Sequence, residues 1–63
     1  VEELSLEAAM ERLNERERQI ISLRFFDGKT QMEVADQIGI SQAQVSRLEK
    51  NALKTMRQYL MGA

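Results

Sequence analysis

The 63 residues carry nine Lys or Arg against ten Asp or Glu, a net charge of −1, with no Cys and no His. A chain this short makes one domain near the lower size limit for an unstapled core, and it lacks a disulfide framework, an ordinary zinc site and a nucleophile–histidine pair. No apolar run approaches the roughly 18 residues of a membrane span and no signal peptide is visible, so a reducing, cytoplasmic setting is expected. The sequence starts at Val1 rather than Met, so residues 1–63 are expected to be a single domain of a longer chain.

The elements follow in order. No Pro, three Gly and abundant Ala, Leu, Met, Glu, Gln and Arg favour helix throughout. Ser5 offers a simple cap for a helix over 6–13. Asn14 with Glu17 forms a capping box, in which two side chains satisfy orphan backbone amides reciprocally, and opens a helix over 15–26. Asp27-Gly28-Lys29 reads as a turn. Thr30 with Glu33 opens a third helix over 31–38, and Gly39 follows where a helix end needs positive φ. Ile40 plugs the turn, and Ser41 with Gln44 caps a last helix from Gln42 to about Leu60. The expected fold is all-α: a small four-helix domain with a helix-turn-helix over 31–60.

Apolar residues recur at helical spacing: Leu6, Ala9, Met10 and Leu13; Ile20, Leu23 and Phe26 or its neighbour Phe25; Val34, Ala35 and Ile38; Val45, Leu48, Ala52, Met56 and Leu60. These positions are the expected core, with Ala35 small enough to admit the last helix closely. Ile21, Leu53 and Tyr59 fall toward the edges of the stripes, as an extended core or as a docking surface.

The charge is unevenly distributed. Residues 1–17 hold six Glu against Arg12 and Arg16, net −4, and residues 18–39 balance. Residues 40–63 set Arg47, Lys50, Lys54 and Arg57 against Glu49 alone, net +3. Basic charge therefore gathers on the helix that would enter a DNA major groove. There the base-facing candidates are Gln42, Ala43, Gln44, Ser46 and Arg47: Gln pairs bidentately with adenine, Arg with guanine, and Ala43 can meet a thymine methyl. Capping competes with base reading at Gln44. Thr30 and Gln31, at a helix start, are candidate phosphate contacts, with Lys50.

Other chemistry finds little support. Gly28-Lys29-Thr30 resembles the tail of a phosphate-binding loop, but position 23 is Leu and no strand precedes it. Carboxylates lie along exposed faces without an accompanying base or metal ligand, so no enzyme, cofactor, metal or small-molecule substrate is expected.

Leu13-Asn14-Glu15-Arg16-Glu17-Arg18, Leu23-Arg24-Phe25-Phe26, Val45-Ser46-Arg47-Leu48-Glu49-Lys50 and Ala52-Leu53-Lys54 together resemble region 4 of the bacterial sigma-70 family. The runs 28–35 and 39–47 look most like its sporulation members, of the sigma-G type and then the sigma-F type. The resemblance implies binding of the minus-35 promoter element, docking on the β flap of the RNA polymerase core, an anti-sigma factor as a further partner, and a forespore location. It implies DNA-backbone contacts for Arg16 and Arg24, base contacts for 42–44, 46 and 47, and partner docking for Leu53, Met56 and Leu60. Housekeeping members carry Arg, Glu and Arg where this chain has Gln42, Ala43 and Gln44, so their sequence preference is not carried over. A LuxR-type response-regulator output domain shares the pattern from Leu13 to Glu17, but usually continues past the equivalent of Val45 with Lys and His. A protein-interaction module captured by an anti-sigma factor is the alternative of another class.

Overall fold

The computed structural model describes residues 5–62. Among the described residues the elements are four α-helices and one π-helical turn: α1 (Leu6–Met10), α2 (Glu15–Ile21), the π turn (Ser22–Phe26), α3 (Gln31–Ile38) and α4 (Gln42–Leu60). All three expected capping boxes are present, and Ser5 caps α1 by accepting from the Ala8 N–H. Each box closes orphan amides locally, which is why α2, α3 and α4 start where the sequence places them. At 1.5 Å per residue the 19-residue α4 is about 28 Å long and forms the spine of a body measuring 40 × 19 × 16 Å.

Two small cores flank this spine. Ile20, Leu23, Val34, Ala35 and Val45 form one beneath the helix-turn-helix, with Ile38, Ile40 and Leu48 packed against it. Ala9, Leu13, Ile21, Ala52 and Met56 form the other, joined by Met10 and Tyr59. Among the described residues every buried residue is apolar, and no buried side-chain nitrogen or oxygen lacks a partner.

Three expectations are corrected by this packing. The first helix stops at Met10 rather than Leu13, because Arg12 and Leu13 donate to Ala9 and Met10 carbonyls three residues back, tightening the end. Arg18 then caps it from a distance, its guanidinium donating to the Met10 and Leu13 carbonyls. Leu13 still reaches the core, carried there by the turn.

The second helix does not run uniformly to Phe26. Asp27 N–H donates to the Ser22 carbonyl five residues back, which defines the π turn, and Lys29 N–H closes on Leu23. Leu23 is thereby the last core residue of this helix. Phe25 and Phe26, one of which was expected inside, are 54% and 60% exposed.

Leu6 and Leu60 also leave the core, at 48% and 39% exposed, whereas Ile21, expected at an edge, is buried. Each of the two leucines lies at an end of its helix, with protein on fewer sides. Ile21 is covered because α1 and the second half of α4 both fold onto it.

Candidate nucleic-acid interface

The turn between α3 and α4 is built by local chemistry. Gly39 adopts φ 77° and ψ 34°, and Ile40 N–H reaches back to the Ala35 carbonyl at 3.1 Å, a six-residue closure typical of a left-handed helix end. Ala35 and Ile40 then share the same core. Ser41 follows in extended backbone; its hydroxyl accepts from Gln44 N–H at 3.1 Å while Gln44 Oε1 accepts from Ser41 N–H at 3.0 Å. Two fixed ends, a left-handed stop and a capping box, thus set the angle at which α4 leaves α3.

With that angle set, Val45 and Ala52 lie fully buried on one side of α4. Gln42, Ala43, Gln44, Arg47 and Lys50 are exposed and Ser46 is half-buried. Ala43, Arg47, Lys50, Lys54 and Arg57 follow one another at steps of four and three, so they form one stripe along the helix opposite the core. Of the expected base-facing residues the structure places Ala43 and Arg47 on this stripe, which Lys50, Lys54 and Arg57 continue, while Gln42 and Gln44 stand on its two flanks.

Gln44 is divided between its two expected roles. Its Oε1 is held by Ser41 N–H and by the Ser41 hydroxyl at 3.3 Å. A bidentate pairing with adenine needs that oxygen, so Gln42 is the glutamine left with a whole carboxamide.

The start of α3 is more self-contained than the sequence suggested. Thr30 N–H donates to Glu33 Oε1 at 2.8 Å, and the Thr30 hydroxyl accepts from Glu33 N–H at 3.1 Å. The bond from Thr30 N–H first, and then the Thr30 hydroxyl, hold the Glu33 carboxyl below the ordinary glutamate range, helped by the nearby Lys29 cation. A carboxylate therefore already occupies this helix end, and Thr30 keeps its hydroxyl proton, not its backbone amide, for any further acceptor.

Arg16 is exposed on α2, one turn before Ile20. Arg24 is not placed like a loose surface cation: its Nε donates to Glu49 Oε1 at 2.7 Å and its Nη1 to the Lys29 carbonyl at 2.9 Å, with the Phe25 ring beside it. Gln31, the other candidate nearby, donates its carboxamide N–H to the same Glu49 oxygen at 3.4 Å. Sequence reasoning assigned no role to Glu49. Its only signal was being the one acid among the basic residues of 40–63.

The expected docking residues separate. Met56 is 6% exposed and belongs to the core, because its position one turn after Ala52 points it at Ala9 and Ile21. Leu53 and Leu60 are exposed. Leu53 joins Leu6, Phe25 and Phe26 around an apolar cleft of about 250 Å³ floored by Ile21 and Met56. One of these two phenylalanines was expected in the core.

A four-helix domain built around a helix-turn-helix is the class that this fold and surface define. More narrowly, the chain belongs to the family described as Sigma-70, region 4, which it matches over residues 9–58. It is 62% identical over 60 residues to the RNA polymerase sigma-G factor of Clostridium acetobutylicum, covering 95% of this chain and 23% of that protein. The RNA polymerase sigma-G factor of Bacillus subtilis is 66% identical over 58 residues, 92% of this chain and 22% of that protein. The RNA polymerase sigma-F factor of Bacillus licheniformis is 49% identical over 59 residues, 94% of this chain and 23% of that protein. The chain thus spans less than a quarter of the length of these relatives. No solved structure matches it. The family match favours the sigma reading over the response-regulator one.

Proposed function

We propose that residues 1–63 are the minus-35-reading domain of a longer sigma factor that directs RNA polymerase to sporulation-type promoters. The start of α4 enters the major groove, α3 lies across the DNA backbone, and the cleft bordered by Leu53 docks on the β flap. The observation that carries this reading is the stripe Ala43, Arg47 and Lys50, with Gln42 beside it, exposed on a helix whose opposite side is buried and whose start is locked by Gly39 and the Ser41–Gln44 box. Arg47 reads a guanine, Gln42 an adenine and Ala43 a thymine methyl. Ser46 and the remaining Gln44 amide supplement them, while Arg16, Lys50, the Thr30 hydroxyl and the outward edges of Arg24 and Gln31 meet phosphates.

Binding energy and specificity divide between partners in this mechanism. The few cations on α4 neutralise few phosphates, so DNA binding without polymerase is weak and falls steeply with salt. Polymerase supplies the affinity and the domain supplies the choice of sequence. The role is non-enzymatic and places the chain in the cytoplasm, in the forespore for a sigma-G or sigma-F type. An anti-sigma factor gripping the same apolar rim would compete with the flap.

The test is Arg47→Ala in polymerase holoenzyme. It should cost about 1–3 kcal/mol of promoter binding and relax one base position without lowering thermal stability, since Arg47 is exposed. Unchanged promoter discrimination would remove Arg47 from the reading set. For docking, Leu53→Glu is the informative variant: β-flap binding should drop while the domain stays folded. Met56→Glu would bury a charge in the core and report on folding instead.

A further inference from the structure

A single carboxylate oxygen gathers three elements beside the DNA-facing surface. Glu49 Oε1, on α4, accepts from Arg24 Nε of the π turn at 2.7 Å and from Gln31 Nε2 of α3 at 3.4 Å. Through its Nη1, Arg24 also donates to the Lys29 carbonyl at 2.9 Å, which ties down the strand of chain leading into α3. The Glu49 side chain is 12% exposed and that of Arg24 27%, so the pair is partly shielded from water. Exposed ion pairs are commonly worth little, but this guanidinium is held at two points and its partner has a second donor.

An acid on a helix that faces phosphates weakens binding, since it repels the backbone and offsets a neighbouring cation. Glu49 precedes Lys50 in sequence and stands on the flank of the α4 stripe that meets Arg24 and Gln31. Phosphate attraction, however, is the same for every sequence and carries no information about which bases lie in the groove.

We infer that Glu49 is a positioning residue of the DNA interface, which acts by holding Arg24 and Gln31 in one arrangement and withholding the Arg24 charge from non-specific phosphates. The inference rests on the promoter-reading assignment above. Released from Glu49, Arg24 becomes a swinging cation that settles on any nearby phosphate. Held, it shows DNA only its Nη2 edge at one place, so backbone contact is made in the register that also seats Arg47 on its base.

The experiment uses holoenzyme containing the full sigma factor, with one transcribed promoter compared in intact form and with its minus-35 element scrambled. Glu49→Gln keeps size and an acceptor oxygen while removing the charge. It should lower the intact-to-scrambled transcription ratio roughly fivefold. It should also steepen the salt dependence of DNA binding by about one in log–log slope, as one more cation meets phosphate. Arg24→Gln should lower the ratio similarly without steepening the slope, and the double variant should be no worse than either single one. Losses that multiply in the double variant, or an unchanged ratio in Glu49→Gln, overturn the inference. Thermal unfolding separates a collapsed variant from a folded one; should Glu49→Gln fail to fold, an unchanged ratio in Arg24→Gln overturns the inference by itself. If the unmodified holoenzyme ignores the scrambled element, the promoter-reading assignment falls and takes this inference with it. Transcription that depends on the intact element equally in the unmodified enzyme and in Glu49→Gln removes the inference alone.

Discussion

Ile20 and Ile21 are neighbours in sequence, yet they belong to different cores. Ile20 packs with Leu23, Val34, Ala35 and Val45 beneath the helix-turn-helix, while Ile21 packs with Ala9, Leu13, Ala52 and Met56 at the other end of α4. Successive residues on a helix differ by about 100°, so one helix can face two clusters at once. The helix-turn-helix end is also held by devices a few residues long: two capping boxes, a left-handed glycine and a six-residue closure. The other end has a five-residue α1 that depends on Arg18 for its C-terminal cap and on Arg12, stacked 4.6 Å over the Tyr59 ring, to tie its following turn to α4. The proposed DNA-reading surface thereby lies on the end with locally determined geometry, and the apolar cleft on the end whose shape is set by long-range packing.

The largest effects should come from splitting the two isoleucines. Either Ile20→Ala or Ile21→Ala removes a fully or almost fully buried side chain and should cost about 2–5 kcal/mol, a large part of what a domain this small has. In hydrogen exchange, Ile21→Ala should expose amides of α1 and the last turns of α4 before those of α3, and Ile20→Ala the reverse. Equal loss along the chain in both variants would mean that the two cores melt as one, and the division drawn here would fail.

A middle-sized effect is expected at the turn. Gly39→Ala introduces a side chain that meets nothing within 4 Å, so its cost is the strain of φ 77° alone. About 1–2 kcal/mol should be lost, and Gly39→Asn should recover part of it because Asn tolerates this region. Thermal unfolding measures both. Should Ala be tolerated as well as Asn, left-handed backbone is not what fixes this end.

What was legible in the sequence follows the same division. Local rules placed the starts of α2, α3 and α4, the stop at Gly39 and the exposed row on α4, since each depends on residues within about four positions. Periodicity also found most of the buried set. It failed at Phe25 and Phe26 because nothing local announces a π turn, and at Leu6, Leu60 and Ile21 because exposure there depends on which distant helix arrives. The Arg24–Glu49 contact joins residues 25 apart and has no spacing signature. At Thr30 the signals conflicted: the capping box that was correctly read consumes the backbone amide of a residue also expected to meet phosphate.

That box sets the smallest effect, and the one tied to pH. The Glu33 carboxyl is held below its ordinary range first by the Thr30 backbone bond, then by the Thr30 side chain and Lys29. A depressed folded-state value means that its contribution is complete above the unfolded-state value, about 4.3 for a free Glu. It is lost as pH falls through the lower folded-state value. Glu33→Gln can still accept from Thr30 N–H but carries no charge toward the positive end of α3, so it should be slightly less stable than the parent at neutral pH. Below the folded-state value the parent loses the same charge, and the two stabilities should converge. Denaturant titrations of both at pH 7 and near pH 3 measure this. A gap of equal size at both pH values would show that Glu33 acts through shape rather than charge, and that the electrostatics of this helix start has no part in fixing the helix-turn-helix end.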